Sequence, residues 1–329
     1  MNKVSFIKNN DASSLQKYKF VSISKKVLSK LFLIVVVATM TYLFLFPLYY
    51  TVIVAFQRPD LAVDPTSIYV PKAFSLSAFK VAFKELNYAS SALLTSEITV
   101  FSTLVSLLTC SITGYTLARF DFRGKKLVFA FVMLLIVVPP QQIMVPQYML
   151  YRKFTFGGLL SLFNIELNLL SSPLVFILPA IFGVGLKSGM YIFVFRQFFL
   201  GLPKELEEAA KIDGCSSLGT FVRVMIPLAK PAFVVVTMLC IVWHWNDFYV
   251  SSMLFIDKVK PLILNLNDLM TTVAGGGVKF SETVGKNSSY MQRMFLQAGV
   301  VLCIFPPFVL YAFMQKYFIE SVERTGIVG

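Results

Sequence analysis

Histidine is almost absent from this sequence, and acidic residues are scarce. One His occurs in 329 residues, and 17 Asp and Glu stand against 30 Lys and Arg. A single histidine excludes a metal site built from several imidazoles, and scattered acids offer no catalytic constellation, so we expect neither a metal nor an enzyme. The four cysteines lack metal or redox spacing and predict no disulfide; they are Cys110, Cys215, Cys240 and Cys303.

Apolar residues are abundant and clustered. They make up 57% of the chain, against roughly 45–50% in a soluble domain. Six runs reach the about 20 residues that a membrane-spanning helix requires: 31–56, 91–117, 127–149, 173–199, 231–255 and 294–318. We therefore predict an all-α membrane protein with six transmembrane helices. A soluble bundle would not carry six such runs, and the first run is too long for a cleaved signal peptide.

The excess of basic residues follows the predicted topology. On one side of the six spans lie 18 basic residues in mostly short segments, whereas 11 lie in the longer connections on the other side. Short segments rich in Lys and Arg stay in the cytoplasm. Both termini are therefore predicted to be cytoplasmic, and the net charge of +13 is a membrane topology signal rather than a nucleic-acid footprint.

This topology divides the chain into four parts. We predict a poorly ordered or surface-lying N-terminal tail, a first span with an extracellular loop, a transmembrane domain with a cytoplasmic loop, and a C-terminal tail. These cover residues 1–29, 30–90, 91–318 (with the loop at 201–230) and 319–329.

The second span carries small hydroxylated side chains at steps of three or four. They are Ser91, Thr95, Thr99, Ser102, Ser106, Thr109 and Thr113. Small residues at this spacing form one stripe along a helix, which is typical of close helix packing. A wall of a transport path is the alternative. Glu97 lies on the far side of the stripe, and its role stays open.

Prolines and glycines interrupt the third and fourth spans. Pro139 and Pro140 precede Gln141 and Gln142 in the third, and Gly183, Gly185 and Lys187 follow Pro179 in the fourth. Broken helices near mid-membrane are typical of transporters, although kinks also serve packing.

The fifth span places ionisable and aromatic residues together. Asp247 would lie about 24 Å along the helix from Pro231, on one face with Trp243. Such depth favours a functional site, and an outer aromatic belt is the alternative. We predict that these residues and the two glutamines line a substrate path; the set is Gln141, Gln142, Trp243, Asn246 and Asp247. Packing of these side chains against neighbouring helices is the competing interpretation.

The 201–230 loop predicts two short helices. A helix from about Pro203 to Ile212 would end at Asp213-Gly214, Ser216 or Ser217 would cap the next, and Pro227 would end it. Leu206, Ala209 and Ala210 share one face of the first helix, with Glu207 and Lys211 paired on another. Such a loop suits docking to another protein.

The same loop resembles the conserved loop of binding-protein-dependent ABC importer permeases. It has Glu208-Ala209-Ala210, three residues, Gly214, nine residues and then Val224 to Pro227. Flanking segments are similar to the carbohydrate-uptake branch, especially the maltose-type second permease; they are Arg119–Gly124, Arg196–Phe199 and Trp245–Asp247.

The resemblance implies a multi-subunit transporter in the bacterial plasma membrane. Its partners would be a second permease chain, two ATPase subunits and an extracellular solute-binding protein, with membrane lipid around it. The loop would dock on an ATPase subunit through Glu207, Glu208, Ala209, Ala210, Asp213 and Gly214. This chain has no G-x-x-x-x-G-K-S/T phosphate loop, so ATP would be bound by the partners and no cofactor by this chain.

Two long connections depart from the family pattern, at 150–172 and 256–293. Both lie on the predicted outer side, where a binding protein would dock. A sugar, and in particular an oligosaccharide, is the expected substrate, and a polyol phosphate is the alternative within the family. An ion-coupled secondary transporter is disfavoured, since it would normally show an internal repeat.

Overall fold

The computed structural model describes residues 4–58, 73–257, 259–274 and 289–326, and over these ranges the chain is mainly helical. In chain order the α-helices are α1 (Val4–Ala55), α2 (Ser77–Glu85), α3 (Tyr88–Arg119), α4 (Lys125–Val137), α5 (Met144–Arg152), α6 (Leu174–Ile181), α7 (Ser188–Gly201), α8 (Glu205–Ile212), α9 (Ser217–Thr220), α10 (Ile226–Leu228), α11 (Lys230–Trp245), α12 (Tyr249–Leu254), α13 (Leu262–Ala274) and α14 (Ser289–Gly326). Shorter turns of 3-10 helix occupy Pro140–Gln142 and Leu160–Phe163, and a π-helix occupies Phe221–Met225.

Three of the six predicted spans are continuous helices. Lys25–Ala55, Tyr88–Arg119 and Met291–Tyr317 are each long and apolar enough to cross a membrane. Each of the other three predicted spans contains two shorter helices, namely α4 with α5, α6 with α7, and α11 with α12. The breaks in the third and fourth are the ones that their prolines and glycines predict.

Helix α1 begins well before the first predicted span. Its backbone is helical from Val4, without a boundary near residue 30, where the predicted N-terminal tail ends. Two further helices were not predicted at all: α2 lies in the first connection, and α13 lies in the 256–293 connection. Residues 275–288, which include Gly275–Gly277 and Asn287, fall outside the described ranges.

Helix α3 lies at the centre of the fold and packs against α6, α7 and α11. Most residues of its hydroxyl stripe are buried, whereas Thr109 and Thr113 are half-buried. Two of the buried hydroxyls accept hydrogen bonds from the α13 segment. The Leu262 amide donates to Thr95 Oγ1 at 2.9 Å, and Asn265 Nδ2 donates to Ser91 Oγ at 2.7 Å. Close approach also depends on Gly114, where an added Cβ would lie 2.7 Å from Phe195 Cβ. The packing interpretation therefore holds for the buried part of the stripe, whereas Thr113 lines a cavity.

The buried cysteines fill the helix core as the sequence predicts. Cys110, Cys240 and Cys303 are buried, and Cys215 is half-buried in the 201–230 loop. Glu97 is also half-buried on α3. In contrast, the membrane-length part of α1 buries none of its most apolar window, and its outer face carries side chains such as Phe44.

Candidate functional site: the 201–230 loop and three helix breaks

Helix α8 is the first element of the 201–230 loop, and its ends follow from local chemistry. Acidic residues in its first turn complement the N-terminal dipole. At its C-terminus Gly214 adopts φ +80°. The Cys215 amide donates to the Ala210 carbonyl at 2.9 Å, and the Gly214 amide donates to the Lys211 carbonyl at 3.0 Å. These two bonds form a Schellman motif, so Gly214 ends the helix by its left-handed backbone.

The second half of the loop differs from prediction in where it turns. Ser216 Oγ accepts a hydrogen bond from the Gly219 amide at 3.1 Å and caps α9, as predicted. Pro227, however, does not end the helical segment, because the π-helix joins α9 to α10 and Pro227 occupies the first turn of α10. The chain bends by 77° between Leu228 and Lys230. The loop therefore returns to α11 through a sharp corner at Ala229.

Glu207 holds α8 against the end of α3. Its Oε1 lies 3.0 Å from Nε of Arg119, and both side chains are largely buried. The Nε–H is not aimed at the oxygen, so the contact is an ion pair rather than a directed hydrogen bond. Nη2 of Arg119 also donates to the Leu202 carbonyl at 2.6 Å. The predicted i,i+4 pairing of Glu207 with Lys211 is therefore wrong, since Glu207 faces Arg119 of α3.

The turn between α3 and α4 carries a second, exposed ion pair. Nζ of Lys125 donates to Oδ1 of Asp121 at 3.0 Å. This hydrogen bond and the charge of Lys125 hold the pKa of Asp121 below its ordinary value. Asp121 therefore remains ionised at neutral pH, next to the chain segment that seats α8.

The outward face of α8 differs in part from the predicted one, because Leu206 and Ala209 are exposed but Ala210 is not. Ala210 is buried beneath the helix, whereas Ile212 is 86% exposed. The exposed face contains Glu208, Ala209 and Ile212. Ile212 follows Ala209 by three residues and Glu208 by four, which places all three on one side of a helix. Leu218 on α9 is 70% exposed as well. Sequence reasoning missed Ile212 and Leu218, although the spacing of Ile212 from Glu208 is a helical repeat that indicates a common face.

The break in the third span exposes both predicted glutamines. Helix α4 ends at Val137, the 3-10 turn at Pro140–Gln142 follows, and α5 begins at Met144. Gln141 and Gln142 are exposed on that turn. The turn contacts α12, which belongs to the fifth predicted span. The breaks in the third and fifth spans thus lie side by side.

The fifth span breaks where a continuous helix was expected. Helix α11 ends at Trp245, and Asn246 Nδ2 donates back to the Val242 carbonyl at 2.9 Å. Oδ2 of Asp247 accepts hydrogen bonds from the Ser251 amide at 2.8 Å and the Ser251 hydroxyl at 3.0 Å. Because the helix ends between them, Trp243 and Asp247 do not share a helical face, and that prediction is wrong. Asp247, the residue before the N-cap Phe248, instead caps the first turn of α12 through its carboxylate.

The break in the fourth span lies beside the other two, and the three together are called the cluster of breaks. Between α6 and α7, Gly183 and Lys187 adopt positive φ angles. Nζ of Lys187 lies 4.4 Å from the ring centroid of Trp243 on α11. A cavity of about 590 Å³ opens between this break and Pro140, and its wall includes Gln147, Lys187 and Val250 of α12. Gln147 and Lys187 line the cavity, whereas none of the five predicted path residues does. Trp243 is linked to it through Lys187, and Gln141 and Gln142 directly follow its wall residue Pro140.

Comparison with known proteins decides the family. Residues 110–324 match the family described as the binding-protein-dependent transport system inner membrane component, which covers most of the chain from within α3 to α14. This chain belongs to that family. It is a multi-pass membrane permease that works in a complex with other subunits.

Several permeases of sugar transport systems are similar to this one. The arabinooligosaccharides transport system permease protein AraQ of Bacillus subtilis is 33% identical over 230 residues, or 70% of each chain. AraQ of Halalkalibacterium halodurans is 30% identical over 300 residues, covering 89% of this chain and 94% of that protein. The polygalacturonan/rhamnogalacturonan transport system permease protein YtcP of Bacillus subtilis is 27% identical over 286 residues, covering 86% and 92%.

A solved structure shares the permease fold. It is a bacterial ABC transporter involved in the import of the acidic polysaccharide alginate, with a TM-score of 0.69 at 22% identity. The match covers 87% of this chain and 94% of that one. The helical architecture is thus that of an ABC importer permease, as its sequence predicts.

Proposed function

We propose that this permease forms half of the sugar pathway in a bacterial ATP-driven importer. Its relatives named above carry arabinooligosaccharide and polygalacturonan or rhamnogalacturonan transport in their names, at 27–33% identity. Chains of several sugar units are common to these names. An oligosaccharide is therefore the substrate class that we assign.

The proposed assembly contains a second permease chain, two ATPase subunits and an extracellular solute-binding protein. Both termini and the 201–230 loop lie in the cytoplasm, as the basic bias of the short connections indicates. The ATPase subunits bind and hydrolyse ATP in this scheme, and the permease converts their movement into opening of the pathway.

The coupling role rests on one observation: α8 has one exposed face, and its other face is held against α3. Glu208, Ala209 and Ile212 face outward, and Arg119 holds the inward Glu207 against α3. An exposed aliphatic side chain beside an acid suits a cleft on a partner protein. Helix α3 also packs against α7 and α11, which flank two of the three breaks. A movement of α8 is therefore transmitted through α3 to these helices. Such rigid-body transmission is one of the established forms of switching.

We assign the sugar path to the cluster of three breaks. Gln141, Gln142 and Asn246 are exposed polar groups there, and Trp243 offers a half-exposed ring face. A sugar presents hydroxyl edges and apolar faces, so amides and an aromatic surface match its chemistry. Asp247 has an indirect role in this path, because its carboxylate accepts the Ser251 amide and holds the start of α12.

A photo-cross-linking residue at position 212 tests the docking surface. In the assembled importer, we expect it to form an adduct with the ATPase subunit, identified by mass, and ATP hydrolysis should change the yield. Leu162 is a matched control. Like Ile212 it is an exposed aliphatic residue, but it lies in the 150–172 connection on the predicted outer side.

Two results would count against the proposal. An ATPase adduct at position 162 rather than 212 would show that the chain has the opposite orientation in the membrane. A fully active importer that gives no adduct at position 212 would place the docking surface elsewhere.

A further inference from the structure

The cavity between the third and fourth span breaks has the size of a small-molecule site. Its volume of about 590 Å³ lies within the roughly 300–1,000 Å³ that such sites occupy. Its wall is mostly aliphatic and aromatic, with Phe131 and Phe182 among the rings. Thr113, Gln147 and Lys187 contribute the polar side chains, and among the described residues no Asp or Glu lines it. The charge on this wall is therefore positive.

The backbone at Lys187 is held in an unfavourable conformation. Its φ of +59° lies in the left-handed region, which side chains other than Gly, Asn and Asp rarely adopt. Gly183, four residues earlier, uses the same region without a side-chain penalty. A strained non-glycine residue of this kind costs of order 1–3 kcal/mol, and such residues cluster at functional sites. The lysine side chain is thus present where a glycine would be easier to accommodate.

The ammonium group of Lys187 has an aromatic neighbour but no anionic one among the described residues. Its Nζ lies over the Trp243 ring at 4.4 Å, a distance at which the ring face attracts a cation. Asp247, four residues beyond Trp243, has its Oδ2 occupied by both Ser251 donors. A charge kept in a membrane-spanning segment is expensive and marks substrate pathways.

We propose that Lys187 makes this cavity a binding site for an anionic saccharide. The inference rests on the proposed function, because it gives the substrate class of the same pathway. A carboxylate of a uronic acid unit or a phosphate ester would meet the Lys187 ammonium, while Gln147 would bond a hydroxyl. The aromatic rings would pack against the apolar face of the sugar.

Physical chemistry favours an anion over a neutral sugar here. A cleft with charge of one sign and apolar walls concentrates its field on the ligand. A charge-assisted hydrogen bond is roughly twice as strong as a neutral one, and lysine binds both carboxylate and phosphate oxygens as a point charge. A neutral sugar would leave the ammonium without an anion.

Equilibrium dialysis of the purified importer in lipid nanodiscs, without its extracellular binding protein, tests this site. The probes are trigalacturonate, galactotriose, which lacks the carboxylates, and glucose 1-phosphate. We expect at least one charged probe to bind ten times or more tighter than galactotriose. Lys187→Met should remove that preference and Lys187→Arg should retain it, whereas Lys153→Met, which removes a lysine exposed in a connecting loop, should leave it unchanged. A preference for trigalacturonate assigns a uronic acid, and one for glucose 1-phosphate assigns a phosphate ester.

Several results would overturn the inference. Equal binding of all three probes, binding of none, or a preference for the charged probes that survives Lys187→Met would each do so. Loss of the second permease chain from the Lys187→Met complex would assign the ammonium to a carboxylate of that partner instead. Uptake of galactotriose by cells with the intact importer would keep the sugar-importer proposal while the anionic site is rejected.

Discussion

Nε of Arg119 and Oε1 of Glu207 lie 3.0 Å apart and join the end of α3 to α8. The same arginine donates to the Leu202 carbonyl, just before α8 begins. One side chain therefore fixes both the start of the loop and the inward face of its helix. The outward face can then transmit a force instead of yielding to it.

Removal of Arg119 should uncouple the loop. Arg119→Met leaves Glu207 buried without its cation, and breaking a buried pair in this way costs about 3–5 kcal/mol. We expect uptake to fall at least tenfold and the melting temperature of the complex to drop. Arg123→Met is the control, because Arg123 is exposed in the adjacent turn.

The double variant Arg119→Met/Glu207→Gln separates stability from coupling. It leaves no lone buried charge, so its melting temperature should recover above that of Arg119→Met while uptake per ATP hydrolysed stays low. Normal uptake per ATP in Arg119→Met would contradict the seating role.

Gly214 should tolerate only residues that accept a left-handed backbone. A Cβ at this position would meet no atom within 4 Å, so substitution causes no clash. The penalty lies in the φ of +80° and amounts to roughly 1–2 kcal/mol for an ordinary residue. Gly214→Val should therefore reduce uptake and ATPase recruitment, and Gly214→Asn should retain most of both. Equal loss in the two variants would indicate a surface contact rather than the helix end.

Asp247 should act through the cap of α12. Asp247→Asn keeps an oxygen for the Ser251 amide, whereas Asp247→Leu removes it, and loss of an N-terminal cap costs about 0.5–2 kcal/mol. We expect assembly yield and thermal stability to fall only in the leucine variant. If the asparagine variant loses uptake to the same extent, the charge itself is required, and the capping role is insufficient.

Gln142 and Asn246 should affect sugar movement without affecting assembly. Both are exposed at the cluster of breaks, and Asn246 bonds only its own helix end among the contacts described. Gln142→Ala and Asn246→Ala should lower sugar uptake severalfold while vanadate-sensitive basal ATPase activity remains. Transport at the normal rate in both variants would leave packing as their role.

The predicted orientation can be checked by thiol labelling from outside intact cells. A cysteine at Lys126 should be protected, and one at Asp257 should react, since both positions are exposed. Cys215 is replaced by serine in both variants to remove the half-buried thiol of the loop. The reverse labelling pattern would place both termini outside.

Local chemistry explains why some features were predictable. Pro139 and Pro140 remove backbone donors within their own segment, and Gly214 ends a helix through its own φ angle. Neither depends on distant parts of the chain. The break of the third span and the end of α8 could therefore be predicted from a few residues.

Other features depend on contacts that sequence spacing does not report. The partner of Glu207 is on α3, far away in the sequence, so an i,i+4 pairing with Lys211 was the natural but wrong expectation. The common face of Trp243 and Asp247 assumed a helix that continues through Asn246. The chain turns there instead, because Asp247 accepts the donors of Ser251 and starts a new helix.

The exposure of α1 has a consequence for its insertion into the membrane during synthesis. Its most apolar window buries no residue, and α1 packs chiefly against α14, at the other end of the chain. During synthesis α1 enters the bilayer long before α14 exists, so lipid alone must stabilise it at that stage. Replacing its lipid-facing residues with another apolar sequence of equal length should preserve insertion, whereas a charge at Phe44, which is 75% exposed, should arrest biogenesis at the first helix.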